Sequence, residues 1–107
     1  MSGIADTNTI DLVAQEADGT VLLIMFEERR WGSDPDQVSQ LQEKINLYAA
    51  YILDGSVARH YPETAGQPVR IRLDCAERPT GHFAHLTAYA ASQLEAHAIG
   101  FHVNPMN

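Results

Sequence analysis

The sequence contains little cysteine and few basic residues. Its 107 residues include one cysteine, and 14 acidic side chains outnumber 7 lysines and arginines, for a formal net charge of −7. A single cysteine excludes an intrachain disulfide framework, and a domain of this length buries enough surface to fold without one. Because a strongly acidic molecule repels phosphate backbones at long range, we expect no nucleic-acid partner.

The sequence also lacks a long apolar run. Its uninterrupted apolar runs, such as Val21–Phe26, are far shorter than the ~20 residues that a transmembrane helix needs. Residues 1–9 are mostly polar, contain no lysine or arginine and lack the apolar stretch of a secretory signal. We therefore expect a soluble, cytoplasmic protein that has no membrane partner.

Sequence motifs for cofactor chemistry are absent. The seven glycines are never closer together than eleven positions, which excludes the glycine-rich loops that hold phosphates and dinucleotides. The sequence has no Cys-x-x-Cys pair, no His-Glu-x-x-His helix and no Gly-x-Ser-x-Gly turn. We therefore expect no cofactor.

The first part of the chain predicts a β-hairpin. Ile10–Gln15 alternates loosely between apolar and polar residues, as a half-buried strand does. Asp18 and Gly19 then form a strong turn signal, because glycine tolerates the positive φ of tight hairpins. Val21–Phe26 is apolar on both sides, which is typical of a central strand.

A long helix is predicted to follow. Ser33 can serve as its N-cap, Pro35 suits its first turn, and Gly55 suits its end. Apolar residues at spacings of three and four define its expected buried stripe: Val38, Leu41, Ile45, Tyr48 and Ile52. Residues 56–68 show no periodic pattern, so we expect a connecting loop there.

The remaining residues predict a strand, a helix and a strand. Val69–Cys75 alternates strictly between apolar and charged residues, the clearest strand pattern in the chain. Thr80 can cap a second helix that ends at Gly100. Its expected buried stripe is Phe83, Leu86, Ala90, Leu94 and Ala98. Phe101–Val103 is predicted to form a short last strand.

The predicted elements follow the order β-β-α-β-α-β. Parallel crossovers are right-handed, so two that progress in the same direction place both helices on one side of the sheet. We therefore predict an α+β two-layer sandwich, in which a four-stranded mixed sheet of order 1-2-3-4 carries two helices on one face. The whole chain, 1–107, is expected to form one domain whose ordered part spans about residues 9–104.

Three stretches of the chain carry a family resemblance. They resemble a family of small bacterial proteins known only as a domain of unknown function. In chain order, the stretches are IDLVAQEADGTVLLIMFEERRW, LQEKINLYAAYILDG and PVRIRL. The resemblance covers about residues 10–103. It implies a shared fold and a short single-domain chain, but it brings no activity, cofactor or catalytic residue.

Two groups of residues suggest metal chemistry. His82 and His85 lie one helical turn apart and can share an ion, although a stable zinc site needs three or four ligands. Asp11 and Glu27 can instead hold Mg²⁺, with Arg29 nearby to stabilise a phosphate. For both groups, the interpretation as solvated surface residues is the favoured one. A nuclease-like, metal-assisted hydrolase is therefore the alternative function. The sequence itself establishes no metal site.

One face of the predicted sheet has no cover. If the helices pack on the apolar side of the third strand, then Arg70, Arg72 and Asp74 point the other way. The second strand directs an apolar row to that same uncovered side, either Leu22, Ile24 and Phe26 or Val21, Leu23 and Met25. Each such side chain is stabilised by roughly 1.5 to 3 kcal/mol when it leaves water, so the row favours a binding partner.

A second copy of the chain is the expected partner, since two-fold homodimers are the commonest soluble oligomers. The predicted binding surface consists of Arg70, Arg72, Asp74, Ile24 and Leu23. The two arginines can instead hold a small anionic ligand, because guanidinium groups bind carboxylates bidentately. Leu47 and Tyr51, on the polar arc of the first helix, offer a competing interface. The predicted function is a self-associating binding module without catalysis.

Overall fold

The computed structural model describes residues 3–106, and its first two strands form the predicted hairpin. β1 (Leu12–Gln15) and β2 (Val21–Glu27) run antiparallel. Gly19 turns the chain with a φ of 96°, a conformation that glycine adopts without steric cost. The Asp18 carboxylate accepts a hydrogen bond from the Thr20 backbone N–H at 2.9 Å, which fixes the turn.

Two further strands complete the sheet. β3 (Val69–Cys75) pairs with β2 on one side and with β4 (Gly100–Pro105) on the other. The strand order is β1-β2-β3-β4, and β2, β3 and β4 are parallel. The predicted mixed sheet and its strand order are confirmed. β4 is longer than predicted because it pairs with β3 over six residue positions, from Arg70 to Cys75.

Residues 3–106 form three α-helices, one more than predicted: α1 (Gln37–Leu53), α2 (Ser56–His60) and α3 (Gly81–Glu95). The predicted loop at residues 56–68 contains α2 and a short 3₁₀ helix, Pro62–Thr64. Within the described part of the chain, none of these helices has both the length and the apolar character that a bilayer crossing requires.

The start of α1 differs from the prediction. The helix begins at Gln37, with Asp36 as its N-cap, and Ser33 lies outside it. A turn forms instead, because the Asp34 carboxylate accepts a hydrogen bond from the Asp36 backbone N–H at 2.8 Å. The same carboxylate pairs with Arg29 at 3.0 Å. These contacts of Asp34 hold residues 33–36 out of the helix.

The hydrophobic core lies between the helices and one face of the sheet. Six residues of β2 and β3 that point towards the helices are at most 1% exposed: Val21, Leu23, Met25, Ile71, Leu73 and Cys75. They form one cluster with residues of α1 and α3, namely Leu41, Ile45, Tyr48, Ala90 and Leu94. Because both long helices contribute to the same cluster, they cover the same face, as predicted.

The predicted helix stripes need three corrections. Val38 is 40% exposed, and α1 instead buries Gln37 and Lys44 completely. Ala98 lies beyond the end of α3, is exposed and has a φ of 59°. Leu47 and Tyr51 are half-buried and pack against the core cluster. The alternative interface considered at Leu47 and Tyr51 is therefore already partly used inside the molecule.

Candidate interaction site on the open sheet face

The side of the sheet that faces away from the helices is the candidate site. The register of the four strands places eleven residues on this side, which we call the open face: Leu12, Ala14, Leu22, Ile24, Phe26, Arg70, Arg72, Asp74, Gly100, His102 and Asn104. None of them belongs to the core cluster or packs against it. The open face is therefore separate from the core.

The structure decides between the two apolar rows that the sequence left open. Leu22, Ile24 and Phe26 form the row on the open face. Leu23 is fully buried in the core instead, because successive residues of a strand point to opposite sides. Leu23 is therefore removed from the predicted binding surface, whereas Ile24 stays within it.

The apolar row is less exposed than the sequence suggested. Ile24 is only 3% exposed, since Leu12 and Arg72 flank it on the neighbouring strands and Leu22 and Phe26 flank it along β2. Those last two residues are half-buried. Leu12 is 45% exposed, so the largest apolar exposure on this face lies on the edge strand β1.

Arg72 and Asp74 form an ion pair along β3. Arg72 donates from Nε to one carboxylate oxygen of Asp74 at 2.7 Å and from a terminal nitrogen to the other oxygen at 3.0 Å. The Asn104 amide on β4 donates a third hydrogen bond, at 2.9 Å. Only 9% of the Asp74 side chain is exposed. The charge of Arg72 is therefore compensated within the molecule.

Arg70 is the cation of the open face that remains available to a partner. Within residues 3–106 it makes no hydrogen bond or ion pair with another side chain, and it is exposed. Its stem lies against β4, where a Cβ at Gly100 would come within 3.0 Å of the Arg70 Cγ. Glycine at this position lets Arg70 extend across the neighbouring strand. Beside it, a cleft of about 160 Å³ is lined by Glu16, Leu22, Arg72 and His102, among others.

The structure does not bring Asp11 and Glu27 together as metal ligands. The Asp11 side chain is fully buried in an ion pair with Lys44 of α1 at 2.8 Å. Glu27 is held separately, because Arg29 donates to both of its carboxylate oxygens and the Gln37 amide donates to one of them. A divalent cation would have to displace a protein cation at either carboxylate, which opposes the hydrolase interpretation.

Cys75 does not join the two histidines in a metal site. His82 and His85 are exposed on the first turns of α3. Cys75 is buried in the core, and burial followed by the nearby Asp74 charge raises the pKa of its thiol to about 11. Among residues 3–106, no three His, Cys, Asp or Glu side chains are grouped closely enough to hold a metal ion.

Comparison with known proteins places the chain in one family. The sequence profile of a family of unknown function, DUF6572, matches residues 1–107. The chain belongs to this family. No curated protein matches it, and no solved structure does. The family membership agrees with the resemblance drawn from the sequence and supplies no function.

Sequence reasoning missed the buried lysine of this family member, Lys44. Lys44 is fully buried and donates to Asp11 and to the backbone carbonyl of Asp6 at 2.6 Å and of Thr9. Tyr48 bonds to the same segment, since its hydroxyl accepts from the Asp11 backbone N–H at 2.8 Å. The signal was available, because Lys44 falls between Leu41 and Tyr48 on the buried stripe of α1.

Proposed function

We propose that this protein is a non-catalytic interaction module that associates with a second copy of itself through the open face. One observation carries the proposal: both long helices cover the same side of the sheet, and the other side presents an apolar row beside charged residues. A cytoplasmic location is part of the proposal and is supported by the free, buried Cys75, since unpaired cysteines suit a reducing compartment.

The size of the open face predicts a weak dimer. Four strands spaced by about 4.8 Å, with four to seven residues each, cover roughly 400 Å². Two copies would bury on the order of 800 Å² together, below the range of roughly 1,200 to 2,000 Å² for stable interfaces. Since Ile24 is already buried, the apolar gain comes mainly from Leu12, Leu22 and Phe26. The dimer population should therefore rise with concentration.

Leu12→Asp tests the proposal, with Leu53→Asp as the matched control. Leu12 is 45% exposed on the open face, and Leu53 is 55% exposed at the end of α1. Both changes place the same charge at an exposed leucine, so neither should unfold the protein. We expect Leu12→Asp to weaken dimerisation at least about tenfold, roughly 1.4 kcal/mol, and Leu53→Asp to leave it unchanged.

Sedimentation equilibrium, from low micromolar to near-millimolar protein, measures this difference. A wild-type protein that stays monomeric throughout the range contradicts the proposal. So does a dimer that Leu53→Asp dissociates and Leu12→Asp does not, because its interface would then lie on the helices.

A small anion is the second candidate occupant of the same face. The observation that favours it is Arg70, which has no hydrogen-bonded or ion-paired side chain among residues 3–106 and borders the 160 Å³ cleft. Inorganic phosphate and acetate are suitable probes, because a ligand that binds only the folded state raises the melting temperature with its concentration. We expect any such rise to be lost in Arg70→Gln. Equal shifts in both proteins would rule out Arg70 as the anion site.

A further inference from the structure

The open face carries its charges in a pattern that a two-fold axis can match. Arg70, Arg72 and Asp74 follow one another on β3 at two-residue spacing and point to the same side. Arg70 and Asp74 lie on opposite sides of Arg72, each about 6.6 Å from it along the strand. Leu22 and Phe26 lie in the same way on either side of Ile24 in β2. The central row of the face is therefore Leu12, Ile24, Arg72 and His102.

We infer that two copies pack open face to open face about a two-fold axis that runs along this central row, perpendicular to the strands, so that Arg70 of each copy pairs with Asp74 of the other. This inference rests on the proposed function and adds the arrangement of the two copies. Each strand then faces its own counterpart in the opposite direction. Arg70 lies over Asp74, and Leu22 lies over Phe26.

The distances allow the ion pair. Facing sheets lie about 10 Å apart, and their strands deviate by about 30° from alignment. At about 6.6 Å from the axis, this rotation displaces Arg70 from Asp74 by roughly 3 Å, which a long arginine side chain spans. Asp74 can accept the additional bond, because one of its oxygens takes only a single hydrogen bond within the chain and a carboxylate oxygen accepts two.

The other simple arrangement fits poorly. A two-fold axis parallel to the strands places β2 of one copy over β3 of the other. Arg70 would then lie over Leu22 and Asp74 over Phe26, so that charges meet apolar side chains and lose hydration without gaining a partner. The Arg70–Asp74 pairing therefore selects the axis perpendicular to the strands, which also places Arg72, already paired with Asp74 within each chain, over its own copy.

Charge reversal tests the arrangement. Arg70→Asp places two carboxylates together across the interface and should weaken dimerisation about tenfold. The double variant Arg70→Asp with Asp74→Arg reverses the pattern on β3, and the carboxylate introduced at position 70 then gives Arg72 an internal partner two residues away. We expect the double variant to dimerise within about threefold of the wild type. The matched control is Arg30→Asp, at a side chain that is 87% exposed in the loop after β2. It should leave the dimerisation constant unchanged.

A second measurement does not depend on variants at Asp74. His102 lies on the edge strand β4 in the central row, so spin labels on His102→Cys face each other across the inferred axis, about 10 Å apart between the strands. The parallel axis places the two β4 strands on opposite edges, about 17 Å apart. Cys75 is buried, which leaves the new cysteine as the site of labelling.

The outcomes separate the arrangement from the proposed function. A wild-type protein that never dimerises, or a dimer that Leu12→Asp leaves intact, overturns both. A dimer that Leu12→Asp weakens, but that Arg70→Asp leaves unchanged or whose labels lie at the longer distance, overturns the arrangement alone. Recovery in the double variant together with the short distance supports it.

Discussion

The two faces of the sheet are built from the same strands and differ in how their polar groups are satisfied. On the helix side, Lys44 and Asp11 form an ion pair in which both side chains are fully buried. On the open side, Arg72 and Asp74 form one in which the side chains are 31% and 9% exposed. The first pair joins a helix to the segment before β1, whereas the second joins two positions of one strand.

The difference separates a structural ion pair from one that a partner can reach. Lys44 directs its three donors to Asp11 and two backbone carbonyls, so none remains for a ligand. Burial raises the pKa of Tyr48 beside it, which keeps that hydroxyl neutral in its bonds to Asp11 and Ile24. Charged groups with remaining hydrogen-bonding capacity, Arg70 and Asp74 among them, lie on the open face.

The largest effect is expected at the buried pair. Lys44→Met leaves the buried Asp11 carboxylate without its cation, and we expect the free energy of unfolding to fall by about 3 to 5 kcal/mol. Arg72→Met is the matched control on the open face and should cost about 1 kcal/mol or less, because Arg72 is 31% exposed and Asp74 keeps its hydrogen bond from the Asn104 amide. Urea denaturation at constant pH measures both. Equal losses of unfolding free energy in the two variants would show that the ion pairs on the two faces contribute equally to stability.

Adjacent leucines of β2 sharpen the comparison for apolar side chains. Leu23→Ala removes a fully buried side chain from the core and should destabilise the protein by about 2 to 5 kcal/mol. Leu22→Ala, on the half-buried open face, should cost less than about 1.5 kcal/mol, because water fills the space that it leaves. The same denaturation experiment measures both variants. A larger loss of unfolding free energy in Leu22→Ala than in Leu23→Ala would contradict the assignment of Leu23 to the core.

The smallest effect concerns alkaline pH. The pKa of Cys75 is raised from 9.0 to about 11, first by burial and then by the Asp74 charge. A raised pKa means that the folded state holds the proton more tightly, so this contribution to stability is complete below about pH 9 and declines as the pH rises towards 11. Cys75→Ser has no thiol to ionise, and its unfolding midpoint should fall less steeply between about pH 9 and 11. If the unfolding midpoints of the wild type and Cys75→Ser fall equally steeply over this pH range, the raised pKa of Cys75 is contradicted.

Local pattern was enough to predict most of the fold. The strict alternation of Val69–Cys75 and the Asp18-Gly19 turn depend on neighbouring residues alone, and both are confirmed. The start of α1 was wrong because Asp34 makes its contacts with Arg29 and Asp36, and a cap residue in sequence does not reveal a competing turn. The short α2 was missed because five residues are too few for a periodic pattern.

The candidate site was predicted only in part. Arg70, Arg72 and Asp74 follow from the alternation of β3, and the uncovered side of the sheet follows from the right-handed crossovers. Leu23 was included because Val21–Phe26 is apolar on both sides, so its pattern does not show which side faces the helices. The near-complete burial of Ile24 also depends on side chains from three strands.

The order of the elements, the hairpin and the sheet with both long helices on one side follow from the amino-acid pattern alone, because periodicity, turn residues and crossover handedness are local or general constraints. Packing between distant segments sets which apolar row of β2 enters the core and which charged side chains keep free hydrogen-bonding capacity for a partner. Lys44 received its three acceptors, and Arg70 was left exposed, through contacts between residues far apart in the chain. Such contacts exist only after the helices and strands have packed together.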